Sequence, residues 1–306
     1  MEKLKKIGLP YMGSKRKLAD KIVDKILADN PNTKYVYDLF GGGGAVSFEF
    51  LQRPQIKKIV YNELNTGITE LLKDIQQNGI TDKYYQWVDR ATFVANKDKD
   101  DWFGGFCKCI WSFGNSQKHY LFGKDIENIK KVATELIVTR QTSKIDELEQ
   151  LIGLRIPQEI LNLDTITERR LFLSSFIKKN KGISPTLPLQ YVENISRVQQ
   201  LERLEQLERL EQLEIQNKSY DEVKIDTPPE ETIIYLDPPY QNTASYQKTI
   251  DYDKLNEYIK NSPHRIYLSS YESGFKCVAE FEHRTTLKGA TSGDSGRVVE
   301  KLFVNR

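Results

Sequence analysis

Tyr35-Val36-Tyr37-Asp38-Leu39-Phe40, then Gly41-Gly42-Gly43-Gly44, then the apolar run Ala45 to Leu51 follow one another without a break. The first six residues, β-branched and aromatic, read as a buried strand, the glycines as a turn and the last run as a helix. Strand, glycine turn and helix is the layout of a nucleotide site in an open α/β sheet, where bare backbone lets a ligand come close. The run departs from G-x-G-x-x-G, because Val46 stands where the last glycine would. It is not a P-loop either, since no Gly-Lys-Ser/Thr follows. A second strand, Lys57 to Asn62, ends at Glu63, 20 residues after Gly43, the spacing at which an acid accepts ribose hydroxyls.

Far along the chain, Thr232-Ile233-Ile234-Tyr235-Leu236 reads as another buried strand and runs into Asp237-Pro238-Pro239-Tyr240. Two prolines fix φ near about −65° and remove two N–H donors. Asp237, standing before a proline, is pushed out of the helical region. The strand therefore ends in a rigid turn that carries one carboxylate, bare carbonyls and one aromatic ring. An exocyclic amine on a nucleobase suits that set. Its lone pair is delocalised into the ring, and acceptors placed off the ring plane free it for attack. Asp237 and the Pro238 carbonyl are such acceptors, and Tyr240 offers a stacking face worth roughly 1–3 kcal/mol.

Composition sets the bounds. The chain has 306 residues, 29% of them charged, and a mean hydropathy of −0.56, which describes a soluble protein of one catalytic domain plus a smaller one. No apolar run approaches the roughly 20 residues that cross a bilayer. The N-terminus, with Lys3, Lys5 and Lys6, lacks the apolar core of a signal peptide. Cys107, Cys109 and Cys277 form neither a disulfide framework nor a zinc motif, and His119, His264 and His283 lie apart, so no metal is expected. A cytoplasmic protein fits best. The net charge of +2 is uneven: residues 1–25 carry eight basic side chains against three acids, and residues 201–231 carry four against ten.

Leu9-Pro10-Tyr11-Met12-Gly13-Ser14-Lys15-Arg16-Lys17-Leu18 opens the chain, with Ser14 placed to cap a helix through Ile22, Val23, Ile26 and Leu27. This segment, Asp38 to Gly44, Asn62-Glu63-Leu64-Asn65 and Asp237 to Tyr240, in that order, resemble the Dam-type adenine-N6 DNA methyltransferases, the D12 class in the α arrangement. The resemblance covers about half of the chain. It implies a seven-stranded, Rossmann-like, S-adenosylmethionine-dependent methyltransferase fold with an inserted, mostly helical target-recognition domain. Residues 1–80 would hold the first part of the catalytic domain, 81–198 the insertion and 199–306 the second part. S-adenosylmethionine would be the methyl donor. It would be met by Tyr11, Lys15, Asp38, Phe40, Gly41, Gly43, Glu63 and Asp237, while Asp237, Pro238 and Tyr240 hold the target adenine. The family more often has aspartate where Glu63 stands. Double-stranded DNA is the implied partner, and a cognate restriction endonuclease is one the resemblance allows. Cytosine-N4 transfer in DNA, or guanine-N2 transfer in RNA, uses similar Asp-Pro-Pro motifs and is the alternative.

Between the donor and catalytic motifs a helix is expected over 66–77, followed by a segment holding Trp87, Trp102 and Trp111. From Trp102 to Lys124 aromatics, glycines, amides and lysines interleave. Asn115 and Gln117 are suited to base edges, and Lys118 and Lys124 to phosphates; an aromatic core with a polar hairpin reads equally well from the same residues. Residues 165–200 are basic again, with six Lys/Arg against two acids. Leu201-Glu-Arg-Leu-Glu-Gln206 then recurs at 207–212 and begins a third copy at Leu213. Leucine at every third position sweeps around a helix instead of marking one face, so the repeat reads as a helical spacer whose length catalysis tolerates. Leu213 to Asp221 reads as a strand leading to Tyr220 and Asp221 near the donor. Arg265 to Ser270 and Val298 to Val304 are further strands, and Arg297 ends a Gly/Ser-rich loop that could grip phosphate or be a plain hairpin.

Overall fold

The computed structural model describes residues 7–180, 193–207, 209–239, 250–284 and 297–306. Seven strands form one sheet in the order β3-β2-β1-β4-β5-β7-β6: β1 Tyr35–Asp38, β2 Lys58–Asn62, β3 Leu213–Gln216, β4 Thr232–Leu236, β5 Arg265–Ser270, β6 Lys276–Arg284 and β7 Arg297–Val304. β1 to β5 pair in parallel, and β7 runs antiparallel between β5 and β6. β4 is buried at all five positions, which is why its sequence is continuously apolar instead of alternating. Two cores result. One cluster holds Val36, Ile59, Ile233 and Tyr235 with the helices Ala19–Asp29 (α1), Ala45–Leu51 (α2) and Thr66–Asn78 (α3); the other holds Tyr37, Val60, Ile234 and Leu236 and the later helix Tyr252–Asn261, labelled below in chain order.

After α3 come α4 Arg90–Asn96, α5 Trp102–Ile110, α6 Glu127–Thr139, α7 Thr142–Ile152, α8 Ile166–Lys179, α9 Glu193–Glu205 and α10 Tyr252–Asn261. α5 lies close against α3. A Cβ on Gly105 would stand 1.9 Å from the carbonyl oxygen of Gly67, so glycine is what lets the two backbones meet. That contact draws Tyr84, Phe93, Phe106, Trp111 and Tyr120 into the cluster that contains Ile68 and Leu71 of α3. α6, α7 and α8 instead form a cluster of their own around Val132, Leu136, Ile137, Leu148, Ile160 and Leu173. Arg169, itself buried, closes it by donating to the carbonyls of Ile137, Leu163 and Asp164. Among the described residues no helix is long and apolar enough to cross a membrane.

Three expectations change. Ser14 gives no side-chain cap: a turn of 3-10 helix over Lys15–Lys17 precedes α1, which begins at Ala19. The Leu/Glu repeat is not one helix. α9 ends at Glu205, a further 3-10 turn spans Leu210–Gln212, and β3 begins at Leu213. Leucines spaced by three cannot all face inward from a continuous helix, since each step falls 60° short of a full turn. Breaking the helix lets Leu201, Leu204, Leu207 and Leu213 all enter the main core. The strand expected over Leu213 to Asp221 stops at Gln216, because Asn217 and Lys218 bond across to the end of β2 and Ser219 caps a single turn, Tyr220–Glu222.

Candidate active site

β1 and β4 are neighbours, and from them the strand order proceeds to opposite edges of the sheet. Such a switch point opens a crevice at the carboxyl ends of the strands. Asp38 ends β1 and sits in register with Tyr235, two residues before Asp237. The glycine turn Gly41–Gly44 follows Asp38 by a few residues, so loop and carboxylates share one end of the sheet. The N-terminal segment lies on this loop. Leu9 N–H donates to the Gly43 carbonyl at 2.8 Å, and a Cβ on Gly43 would be 2.8 Å from the Leu9 carbonyl oxygen. The Tyr11 ring passes beside Gly42, about where a Cβ there would find it at 3.2 Å. Lys15 then reaches across the crevice. Its Nζ donates to Asp237 Oδ1 at 2.7 Å and stands 3.7 Å from Glu300 Oε1 of β7. Lys15 is therefore held by carboxylates, not poised as a bare anion site.

Glu63 is the second fixed acid. Oε2 accepts from Gly42 N–H and Oε1 from Asn65 N–H, each at 2.9 Å. Burial raises its carboxyl above the usual range, against those backbone donors and the charge of Lys108. Asn62 ties the strand ends together: its amide donates to the carbonyls of Leu39 and Lys218 and accepts from Lys218 N–H. Asn217 donates to the Glu63 carbonyl at 2.7 Å. Tyr220 arrives beside Phe40, with ring centroids 5.3 Å apart, while Asp221 is exposed and engaged by Lys254 and Ser219.

Asp38 is the most deeply buried of the three acids Asp38, Glu63 and Asp237. It is 1% exposed; Ser47 Oγ donates to Oδ2 at 2.7 Å, and Oδ1 has no hydrogen-bond partner among the described residues. Burial, and to a lesser degree Asp237 and Glu63, push it up to about 7, against the lowering bond from Ser47. In the unfolded chain the same group titrates near 3.8. Between those values the folded protein holds a proton that the unfolded chain has lost, so stability falls as pH rises and levels off above about 7. For the protein alone the contribution of Asp38 is on the order of 4 kcal/mol over the full window. Asp38→Asn is expected to flatten the decline in melting temperature between pH 5 and pH 8. Equal slopes for the two proteins would show that Asp38 is already ionised in the fold.

The sequence did not announce every member of this site. The sequence alone gives no role to Glu300 or Asn217, marks Asn62 only as part of the segment Asn62–Asn65, and places Lys108 among the lysines suited to phosphate instead of beside Glu63. Glu300 had one signal: it shares the inward face of β7 with Leu302 and Val304, where an acid is out of place. Of the residues suited to nucleic acid, Gln117 is brought near the crevice, since its Oε1 accepts from Asn65 Nδ2 at 3.3 Å, and Lys108 Nζ donates to Asn65 Oδ1 at 3.2 Å. Asn115 and Gln117 both adopt positive φ, 58° and 61°, in a tight hairpin closed by the pair Ser112 and Tyr120. Phe113 at its tip is 64% exposed, and Lys118 and Lys124 are exposed, whereas Trp111, Phe106 and Tyr120 are core. Pro238 is buried behind Asp237, and Tyr252 donates its hydroxyl to the Pro239 carbonyl. Tyr240 and the loop leading to Arg297 lie outside the described residues.

No individually curated protein matches the chain. A family does. The family described as D12 class N6 adenine-specific DNA methyltransferase matches residues 11–285, a span that takes in the glycine turn, Glu63 and Asp237 and passes through everything between them. Its reaction asks for acceptors at an exocyclic amine beside a nucleotide-type loop, and the switch point of this sheet presents both. Cytosine-N4 and guanine-N2 transfer are not favoured by that match. The chain belongs to the D12 class of N6 adenine-specific DNA methyltransferases and is an enzyme of that kind.

Proposed function

We propose that the crevice at the ends of β1, β2 and β4 takes S-adenosylmethionine and the target adenine of double-stranded DNA side by side. The observation that carries this reading is the reach of Lys15, from a segment lying on the glycine turn, to Asp237 at 2.7 Å. One side chain thereby links the nucleotide-type loop to the amine-holding turn. The residues suit the donor. Gly41 and Gly43 let the turn pack closely under Tyr61, Leu9 and Tyr11, Glu63 is fixed by two N–H groups for a diol, and Phe40 and Tyr220 offer aromatic surface. The unmatched oxygen of Asp38 faces a buried setting that calls for a donor group. Tyr11 and Lys15 close the loop from the N-terminal side. Bound S-adenosylmethionine supplies an electrophilic methyl on a sulfonium.

The chain's own work is positioning. A flipped adenine costs a few kcal/mol of unstacking. Asp237 and the Pro238 carbonyl accept from N6 and turn its lone pair toward the methyl, and Tyr240 stacks on the ring. Positioning and electrostatics supply the rate, with no covalent enzyme intermediate. Target reading falls to the insertion, 81–198, and within it to the hairpin around Asn115 and Gln117. The enzyme acts in the cytoplasm, alone or with a cognate restriction endonuclease in a restriction–modification pair.

The test uses purified protein, methyl-labelled donor and DNA, followed by mass analysis of nucleosides. N6-methyladenine is expected. Label in N4-methylcytosine, or in RNA only, would overturn the reading. Sequencing DNA from a methylation-free host that expresses the protein gives the target sequence.

The hairpin makes a separate prediction. Asn115→Ala and Gln117→Ala are expected to relax the methylated sequence, because an amide bidentate to adenine discriminates by roughly 1–3 kcal/mol. Lys118→Ala and Lys124→Ala should weaken binding evenly across sequences and flatten its salt dependence. If all four methylate the same sites at wild-type rates across a salt series, recognition lies in the basic stretch 165–200 instead.

A further inference from the structure

Asn65 stands where a helix cap belongs and does not cap. It is the N-cap residue of α3, yet among the described residues its side chain makes no bond to the helix's own N–H groups. Asparagine is one of the best N-caps, so forgoing that bond is a cost that something else offsets. Both ends of its amide go to α5 and the hairpin that follows it. Oδ1 accepts from Lys108 Nζ at 3.2 Å, and Nδ2 donates to Gln117 Oε1 at 3.3 Å. A lysine can only donate, so Lys108 fixes which way the amide points. The path then closes on itself. Gln117 N–H donates to Ser112 Oγ at 3.2 Å, and Ser112 Oγ donates to the Lys108 carbonyl at 2.6 Å. Lys108 and Ser112 are both buried, and α5 is packed backbone to backbone on α3 at Gly105 and Gly67. On its other side Asn65 N–H donates to Glu63 Oε1, and the second oxygen of Glu63 takes Gly42 N–H of the glycine turn. One residue therefore touches the acid of the donor site, α5 and the hairpin.

We propose that Asn65 is a positioning residue that couples the two substrates, so that a donor on Glu63 readies the hairpin for DNA and DNA on the hairpin tightens the donor. The inference rests on the donor and target readings above. The bonds from Asn65 to Lys108 and Gln117 are longer than the about 2.9 Å of a settled N–H···O bond, so they have room to tighten. Gln117 holds a φ of 61°, a left-handed conformation that a side chain keeps only where its surroundings enforce it. With Glu63 engaged by a ribose diol, the turn 63–65 is fixed, and the Asn65 amide and Gln117 with it. DNA then meets a hairpin that is already ordered and loses less freedom on binding. A carbonyl oxygen accepts two bonds, so Gln117 keeps its capacity for a base edge while tied to Asn65. Linkage makes the effect equal in both directions.

Calorimetry with two probes tests this: sinefungin, a donor analogue with no methyl to transfer, and a duplex carrying the sequence that the protein methylates. In the wild type the duplex should tighten sinefungin by about fivefold or more, and sinefungin should tighten the duplex by the same factor. Gln117→Met keeps length and loses the acceptor; Asn65→Ser keeps a helix-capping side chain and loses both bonds. Each should bring the factor below about twofold. Gln117→Glu, which still accepts from Asn65, should retain it. A purely structural Asn65 would weaken both ligands and leave the factor as it was. No mutual effect in the wild type, or an unchanged factor in both Gln117→Met and Asn65→Ser, overturns the proposal. If sinefungin does not bind, the donor reading fails first, and if the duplex does not bind, the target reading does. If both bind and neither changes the other, the role of Asn65 fails alone.

Discussion

Asp237→Ala should leave a folded protein with no measurable methyl transfer. The side chain sits at 19% exposure on a rigid proline turn, and the Pro238 carbonyl cannot hold an exocyclic amine alone. Losing one positioned acceptor at a reacting centre costs on the order of 10²–10³ in rate, and here the same carboxylate also orients Lys15. The fold should survive, because Lys15 keeps Glu300 as a partner and β4 is stabilised by burial of Ile233, Ile234, Tyr235 and Leu236. Melting temperature and circular dichroism separate the two effects. Turnover above a tenth of wild type would contradict the role given to Asp237.

Removal of Leu207–Gln212, one whole repeat, is the change with the largest expected effect on stability. From sequence alone this deletion should be tolerated, since it keeps register on both sides. The structure reverses that expectation. α9 ends at Glu205 and β3 starts at Leu213, so the deletion leaves one residue to join helix to strand. It also removes Leu207 from the core and takes away Arg209, whose guanidinium donates to the carbonyls of Arg53 and Ile56. Gln76, which donates to the Leu210 and Leu213 carbonyls, loses one partner outright. A buried leucine alone is worth roughly 2–5 kcal/mol. The expected result is insoluble or unfolded protein. A soluble variant with normal donor binding would mean that the connection can be rebuilt from the preceding copy.

The two ends of the candidate site are legible for the same reason. Gly41–Gly44 with Glu63, and Asp237 with its prolines, are local signals: residue types that only a few backbone geometries accommodate, next to strands whose burial makes them continuously apolar. What joins those ends was not legible. The bond from Lys15 to Asp237 spans 222 positions, and although the resemblance singles out Lys15 as a donor contact, nothing in the sequence around it points to Asp237. Glu300 needed the pairing of β7 to show which way it faces. Ser14 looked like a cap and is none, because the chain takes a 3-10 turn there to aim Lys15 inward. The leucine repeat misled for a physical reason as well. Its composition favours helix, but its spacing favours a path that bends, and core burial outweighs propensity.

The late arrival of β3 governs how the protein is made. β1 and β2 are complete by Asn62, yet their edge partner begins at Leu213, and the bond from Asn217 to Glu63 closes a separation of 154 residues. During synthesis the outer edge of β2 waits while residues 63–212 are translated. Loops of that length close slowly, and an unpaired parallel edge invites misassociation meanwhile. α6–α8, with a cluster of their own, can settle before that closure. The Glu63 backbone is therefore held in its final setting only once Asn217 has been made, and a ligand that binds the closed edge would favour that state by mass action.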